Sequence, residues 1–123
     1  MNTDFTHAMG AHYLVRYPQE HQHKSLQAWD SVDEYIISEI QNKHQAHLAD
    51  IAGGAKVAIF NDDFGAITCA LHAYSPVHVS DSIVAQLGCQ TNMYHNKLDV
   101  DNVEFLSSMQ AHEQHYDLVI LKL

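Results

Sequence analysis

Residues 56–65, KVAIFNDDFG, form an apolar run that stops at Asn61-Asp62-Asp63 and turns on Gly65 into the helix-like stretch AITCALHA. A short buried strand, a tight turn and a helix start make up the first unit of many nucleotide-binding α/β domains. Downstream of it, 66–72 reads as a short helix ended by Ser75-Pro76, and 77–80 (VHVS) as a second strand. Asp81-Ser82 is placed to cap a helix over 83–96, with Ile83, Leu87, Thr91 and Tyr94 along one face. Further strands are expected at 103–107 (VEFLS) and 117–123 (DLVILKL). This alternation produces a parallel sheet with right-handed crossovers.

Upstream, Leu26, Trp29, Val32, Ile36, Ile40 and Leu48 recur at helical spacing, with Ser25 as the expected cap and Gly53-Gly54 releasing the chain into the strand. Residues 11–17 (AHYLVRY) alternate and read as an extra N-terminal strand that ends at Pro18. Residues 1–10 lack periodicity and read as a flexible tail, which leaves 11–123 as a single domain. The expected fold class is α/β, a Rossmann-like parallel sheet of about four strands flanked by helices. The last strand is the most hydrophobic, and a parallel strand normally has both faces buried. The chain therefore reads as part of a larger domain. An uncovered apolar edge would also allow self-association as a homodimer.

The 123 residues are 46% hydrophobic and 17% charged, which suits one folded domain. No stretch approaches the roughly 18–20 consecutive apolar residues of a membrane helix, and MNTDFTHAMG lacks the basic and apolar segments of a secretory signal. The expected location is the cytoplasm, without membrane attachment. Cys69 and Cys89 form no C-x-x-C pair and read as small buried apolar residues. The net charge is −9, with Arg16 the only arginine, so no basic face is available to replace counterions on phosphates. The pairs His21/His23, His44/His47 and His112/His115 read as solvated surface rather than metal ligands.

A dinucleotide or adenosylmethionine loop needs several glycines, because the backbone must approach the ligand closely and leave amides free. Here only Gly65 remains, with bulky Phe64 beside it, and two adjacent carboxylates would repel a phosphate. They tell less against adenosylmethionine, whose sulfonium and amino groups are cationic. Asp81 stands where an acid would hold a ribose, and is also suited to cap the following helix. A working cofactor site would use Asn61, Asp63, Gly65 and Asp81.

The pieces LQAWDSVDEYIISEI, VAIFNDDFGAITCAL, VSDSIVAQLGCQTNMYHNKLD, VEFLSS and DLVILK occur in this order over about residues 12–123. Together they resemble the N-terminal domain of the RlmG and RsmC family of ribosomal RNA guanine-N2 methyltransferases. The resemblance implies two tandem Rossmann-like copies. In it, the C-terminal copy binds S-adenosylmethionine and carries an Asn-Pro-Pro-Phe motif, whereas the N-terminal copy has lost the cofactor site. Against the family's V-L-D-L-G-C-G-x-G motif, Ile59 stands at the acid, Asn61 and Asp63 at two glycines, and only Gly65 agrees. Leu121-Lys122-Leu123 stand where Asn-Pro-Pro-Phe would begin, so no catalytic residue carries over. The expectation is a non-catalytic domain without its own cofactor, supporting a catalytic methyltransferase domain or positioning ribosomal RNA. The alternatives are a small S-adenosylmethionine-dependent methyltransferase with a non-standard loop, and a self-associating interaction module.

Overall fold

The computed structural model describes residues 3–17, 27–51 and 53–122. Pro18, His21, His23, Ser25, Leu26 and Leu123 lie outside the described residues. The organising stretch forms β3 (Val57–Phe60), followed by α3 (Ala66–Ala70), β4 (Val77–Val79), α4 (Ile83–His95), β5 (Glu104–Leu106), α5 (Ser108–Ala111) and β6 (Leu118–Leu121). The four strands are hydrogen-bonded in the order β5-β4-β3-β6, and each pairing is parallel. The expected parallel α/β sheet is therefore present. No helix among the described residues is long and apolar enough to cross a membrane.

One face of the sheet packs Val57, Ile59 and Ile120 against Ile40, Leu48, Ile67 and Leu71. On the other face Ala58, Val77 and Val79 meet Ala111 of α5, with Phe60, Leu106 and Tyr116 only partly buried. That second face is thinly covered near β6, where Val119 and Leu121 are 53% and 56% exposed. Within the described residues β6 pairs only with β3, so its outer edge is open.

The helix expected from Leu26 begins later, as α1 (Ser31–Glu39), and its cap is Asp30 rather than Ser25. Asp30 accepts from the Asp33 amide at 3.1 Å and Asp33 accepts from the Asp30 amide at 3.0 Å, a reciprocal capping box that fixes the start. Trp29 is buried, as its anchoring role required, but sits just before the helix and stacks on Phe5 with ring centroids 4.9 Å apart. A π-helical stretch at Ile40–His44 separates α1 from α2 (Gln45–Ala49) and resets the register, so the buried positions are Asp33, Ile37, Ile40 and Leu48 while Val32 faces solvent.

The N-terminus departs from expectation. The segment read as a flexible tail contains β1 (Asp4–His7), which pairs antiparallel with β2 (Gly10–Tyr13) as a hairpin separate from the main sheet. Phe5 and Leu14 are fully buried. The extra strand expected over 11–17 is thus shorter and paired locally. At its end, Asn92 of α4 and Asn96, the C-cap of that helix, take over the role of a neighbouring strand. Asn92 accepts from the Val15 amide at 2.9 Å and donates to the Val15 carbonyl at 2.9 Å. Asn96 does the same for Tyr13, at 2.8 and 2.7 Å.

The rotation of α4 is the opposite of that expected. Ile83, Leu87 and Tyr94 are exposed, and the buried face consists of Ala85, Gly88, Cys89, Asn92 and Met93. Close approach explains this choice. A Cβ on Gly88 would lie 3.0 Å from the Asp63 carbonyl, and one on Gly65 would lie 2.7 Å from Cys89 Sγ. Only a small-residue face can sit this near the turn, and apolar periodicity does not register small residues.

The hairpin closes on a histidine cluster. The Met9 amide donates to His7 Nδ1 at 3.1 Å, so neutral His7 carries its proton on Nε2 and donates to His12 Nδ1 at 2.8 Å. His72 approaches the His12 ring edge-on at 6.2 Å. Burial first, and then His7 and His72, push the His12 pKa down to about 4. The unfolded chain therefore takes up a proton near its ordinary value of about 6.5 while the folded protein does not. Stability should fall as pH drops from about 6.5 to about 4, by about 1–2 kcal/mol after solvent screening of this half-buried ring. Urea unfolding across this range should show a shallower pH slope in His12→Gln than in the unaltered protein.

Candidate functional site

The carboxyl ends of β3, β4 and β6 open onto two adjoining clefts, where ligands of open α/β sheets bind. One, of about 570 Å3, is lined by Asn61, Asp63, Ser80, Asp81, Ser82 and Lys122. The other, of about 520 Å3, lies between Arg16, Trp29, Asp30, Asp33, Phe64 and Lys122. A larger cavity of about 670 Å3 borders Gly53, Gly54, Ser75 and Glu104 at the opposite end of the sheet, so volume is a poor guide to the site.

Of the residues singled out in the sequence, Asn61, Asp63 and Asp81 share the first cleft and Gly65 does not. Asn61 adopts φ 65°, a left-handed conformation that asparagine tolerates. Its amide donates to the Val79 carbonyl at 3.1 Å and its side chain donates to the Lys122 carbonyl at 3.1 Å, tying together the ends of three strands. Gly65, at φ 80°, is required by its contact with Cys89 rather than by room for a ligand. Cys69 and Cys89 are buried free thiols, and burial pushes both pKa values up.

The adjacent carboxylates of the turn have different fates. Asp63 is exposed, whereas Asp62 is 1% exposed and points inward. Its carboxylate accepts from the Ile67 amide at 3.3 Å, the Thr68 amide at 2.7 Å and the Thr68 hydroxyl at 2.7 Å. These amides belong to the first turn of α3, the donors that a bound anionic group would otherwise use. His78 Nε2 donates to the Asp62 carbonyl at 2.9 Å, which fixes the backbone of the turn from below. Only Asp63 is thus left to act on a ligand electrostatically.

Asp81 is not the cap of the helix that follows it. Ser82 is the N-cap of α4, accepting from the Ala85 amide at 3.1 Å. Asp81 instead accepts from the Ser108 amide at 2.8 Å and the Ser108 hydroxyl at 2.7 Å, at the start of α5. These bonds hold its pKa below the ordinary value.

Lys122 lines both clefts, although the sequence singles it out only as part of a missing motif. Its ammonium lies 2.9 Å from Asp33 Oδ1 and 3.5 Å from Asp30 Oδ2. Burial acts to lower its pKa, but the hydrogen bond and charge of Asp33, with help from Asp30, hold it above the ordinary value. Asp33 moves the other way from a simple paired acid. Desolvation of a carboxylate only 1% exposed outweighs the pull of Lys122 and pushes its pKa up to about 6. On the opposite wall Arg16 lies over the Phe64 ring, 5.0 Å from its centroid. The signal that could have found Asp62 is an acid shortly ahead of a helix start, where its carboxylate can accept from the first-turn amides. His44, His47, His112 and His115 are exposed.

A parallel β5-β4-β3-β6 sheet with its crevice at the strand ends defines the front of a Rossmann-like methyltransferase fold. A putative SAM-dependent methyltransferase from Streptococcus mutans aligns with a TM-score of 0.56 at 12% identity, over 97% of this chain and 32% of that one. Coclaurine N-methyltransferase, solved with N-methylheliamine and SAH, aligns with a TM-score of 0.51 at 20% identity, over 81% of this chain and 29% of that one. These likenesses concern the fold. The family model described as the RLMG N-terminal domain matches residues 2–123, and the chain belongs to that family.

Relatives named ribosomal RNA large subunit methyltransferase G agree. The chain is 44% identical to the one from Yersinia enterocolitica, over 89% of this chain and 26% of that protein. It is 42% identical to that of Pectobacterium atrosepticum, over 89% and 27%, and 36% identical to that of Pseudoalteromonas atlantica, over 100% and 31%. The chain thus spans between a quarter and a third of the length of these relatives.

The buried acid of the turn, Asp62, and the exposed acid after β4, Asp81, should separate on mutation. Asp62→Asn is expected to lower stability by about 1–3 kcal/mol through lost buried hydrogen bonds, measured by urea unfolding. Asp81→Asn, altering an exposed contact, should leave the midpoint nearly unchanged.

Proposed function

We propose that this chain is a non-catalytic N-terminal domain of a ribosomal RNA guanine-N2 methyltransferase, a scaffold for the catalytic domain that gave up its own cofactor. The observation that carries the reading is the Asp62 carboxylate seated on the Ile67 and Thr68 amides. It places an internal anion where the carboxylate end of a cofactor would need free donors. Two further positions are similarly committed, Asp81 to Ser108 and Lys122 to Asp33. The clefts have room, so Phe64 does not exclude a ligand by filling them. Asp63 apart, however, Asp62, Asp81 and Lys122 already have partners within the chain, and this set does not fit S-adenosylmethionine.

The acidic balance of −9 favours support of the catalytic domain over direct grip on ribosomal RNA phosphates. Isothermal titration calorimetry of the 123-residue chain with S-adenosylmethionine should give no binding heat. Micromolar affinity would replace this reading with that of a small methyltransferase using Asn61, Asp63, Gly65 and Asp81.

A second reading is favoured by one observation, the open β6 edge with half-exposed Val119 and Leu121. Unpaired apolar edges recruit another strand, and a second copy of the chain would supply one. Sedimentation velocity of the 123-residue chain should then show a dimer that Val119→Lys abolishes. A clean monomer at tens of micromolar removes this reading.

A further inference from the structure

α4 presents its large apolar residues to solvent and is prevented from turning them inward. Ile83 is 69% exposed, Val84 50%, Leu87 41% and Tyr94 77%. The helix contains no Asp, Glu, Lys or Arg, although the chain as a whole carries 15 acids and six bases. Its rotation is fixed from the buried side by three independent contacts. Gly88 lies against the Asp63 carbonyl, Gly65 lies against Cys89, and Asn92 and Asn96 hold the backbone of Val15 and Tyr13. The rotation of about half a turn needed to bury Leu87 and Tyr94 would break all three.

We infer that this strip is the contact surface for the methyltransferase domain of the same polypeptide, an inference that rests on the function proposed above. Size argues for an attached partner. The 13-residue helix is about 20 Å long, so its outer face offers a few hundred Å2 of accessible surface. Two free copies that associate stably bury about 800 Å2 each. Contacts between domains of one chain begin near 600 Å2 for both sides together, and tethering supplies an effective concentration in the millimolar range. The relatives have the required chain, since the part matched here is only 26–31% of their length. Chemistry argues the same way. A neutral strip of isoleucine, valine, leucine and tyrosine suits an apolar protein surface, and it offers no cation to RNA phosphates.

The test places the photo-crosslinker benzoylphenylalanine at Tyr94 in the full polypeptide. Met109 serves as control, being 83% exposed on α5, which packs on the other face of the sheet. Tyr94→benzoylphenylalanine should crosslink to the methyltransferase domain within the same molecule, with a yield unchanged by tenfold dilution and at least fivefold above that from Met109. In the same background, Leu87→Glu should cut the yield at least fivefold while leaving the urea midpoint of the 123-residue chain unchanged. Absence of a crosslink, a yield that falls on dilution, crosslinks to ribosomal RNA, or equal yields from Tyr94 and Met109 would each overturn the inference. These failures are distinguishable from failure of the proposed function, which shows instead as S-adenosylmethionine binding by the 123-residue chain.

Discussion

The buried carboxylate of Asp62 is the constraint on which the organising turn depends. It gathers two amides and a hydroxyl from α3, while its own carbonyl accepts from His78 on β4. Strand, turn and helix are thereby tied by one residue that water does not reach. A buried carboxylate is costly unless its acceptor positions are filled, so the turn has little freedom to open and admit another anion. The feature that makes the turn stable also occupies its backbone donors.

The same logic extends outward from the turn. Asn61 ties the ends of β3, β4 and β6, Asp81 binds Ser108 in the first turn of α5, and Lys122 joins the end of β6 to the capping box of α1. Each position sits where a working α/β site would turn a polar group toward a ligand. In this chain each turns toward another element instead. Membership of the RLMG N-terminal domain family and a Rossmann-like methyltransferase fold are compatible with such a crevice, because fold and site chemistry separate readily.

The legible parts of the structure were those written in continuous apolar residues. β3, β4 and β6 were expected near their observed positions because both faces of a parallel strand select the same residue types. The hairpin was missed because DFTH and GAHY carry almost no apolar signal, and Phe5 acquires its place in a core cluster with Trp29 and Ile37, which are distant in sequence. The face of α4 was misread because side-chain size, rather than hydrophobicity, decides which side can approach Asp63 and Cys89. Within the site, Asn61, Asp63 and Asp81 line one cleft. Two adjacent acids look alike in a sequence, however, and nothing local says that Asp62 points inward and Asp63 outward. The ion pair of Lys122 with Asp33 joins residues too far apart in the chain for any spacing rule to connect them.

The asparagine pair at the end of α4 has an evolutionary consequence. Asn92 and Asn96 read only amide and carbonyl groups of Val15 and Tyr13, which every non-proline residue presents identically. The clamp itself therefore sets no requirement on the Tyr13 and Val15 side chains beyond excluding proline, and what constrains Leu14 and Val15 is their burial in the core. Selection on this segment should act through the asparagines and the core rather than through recognition of side chains by the clamp.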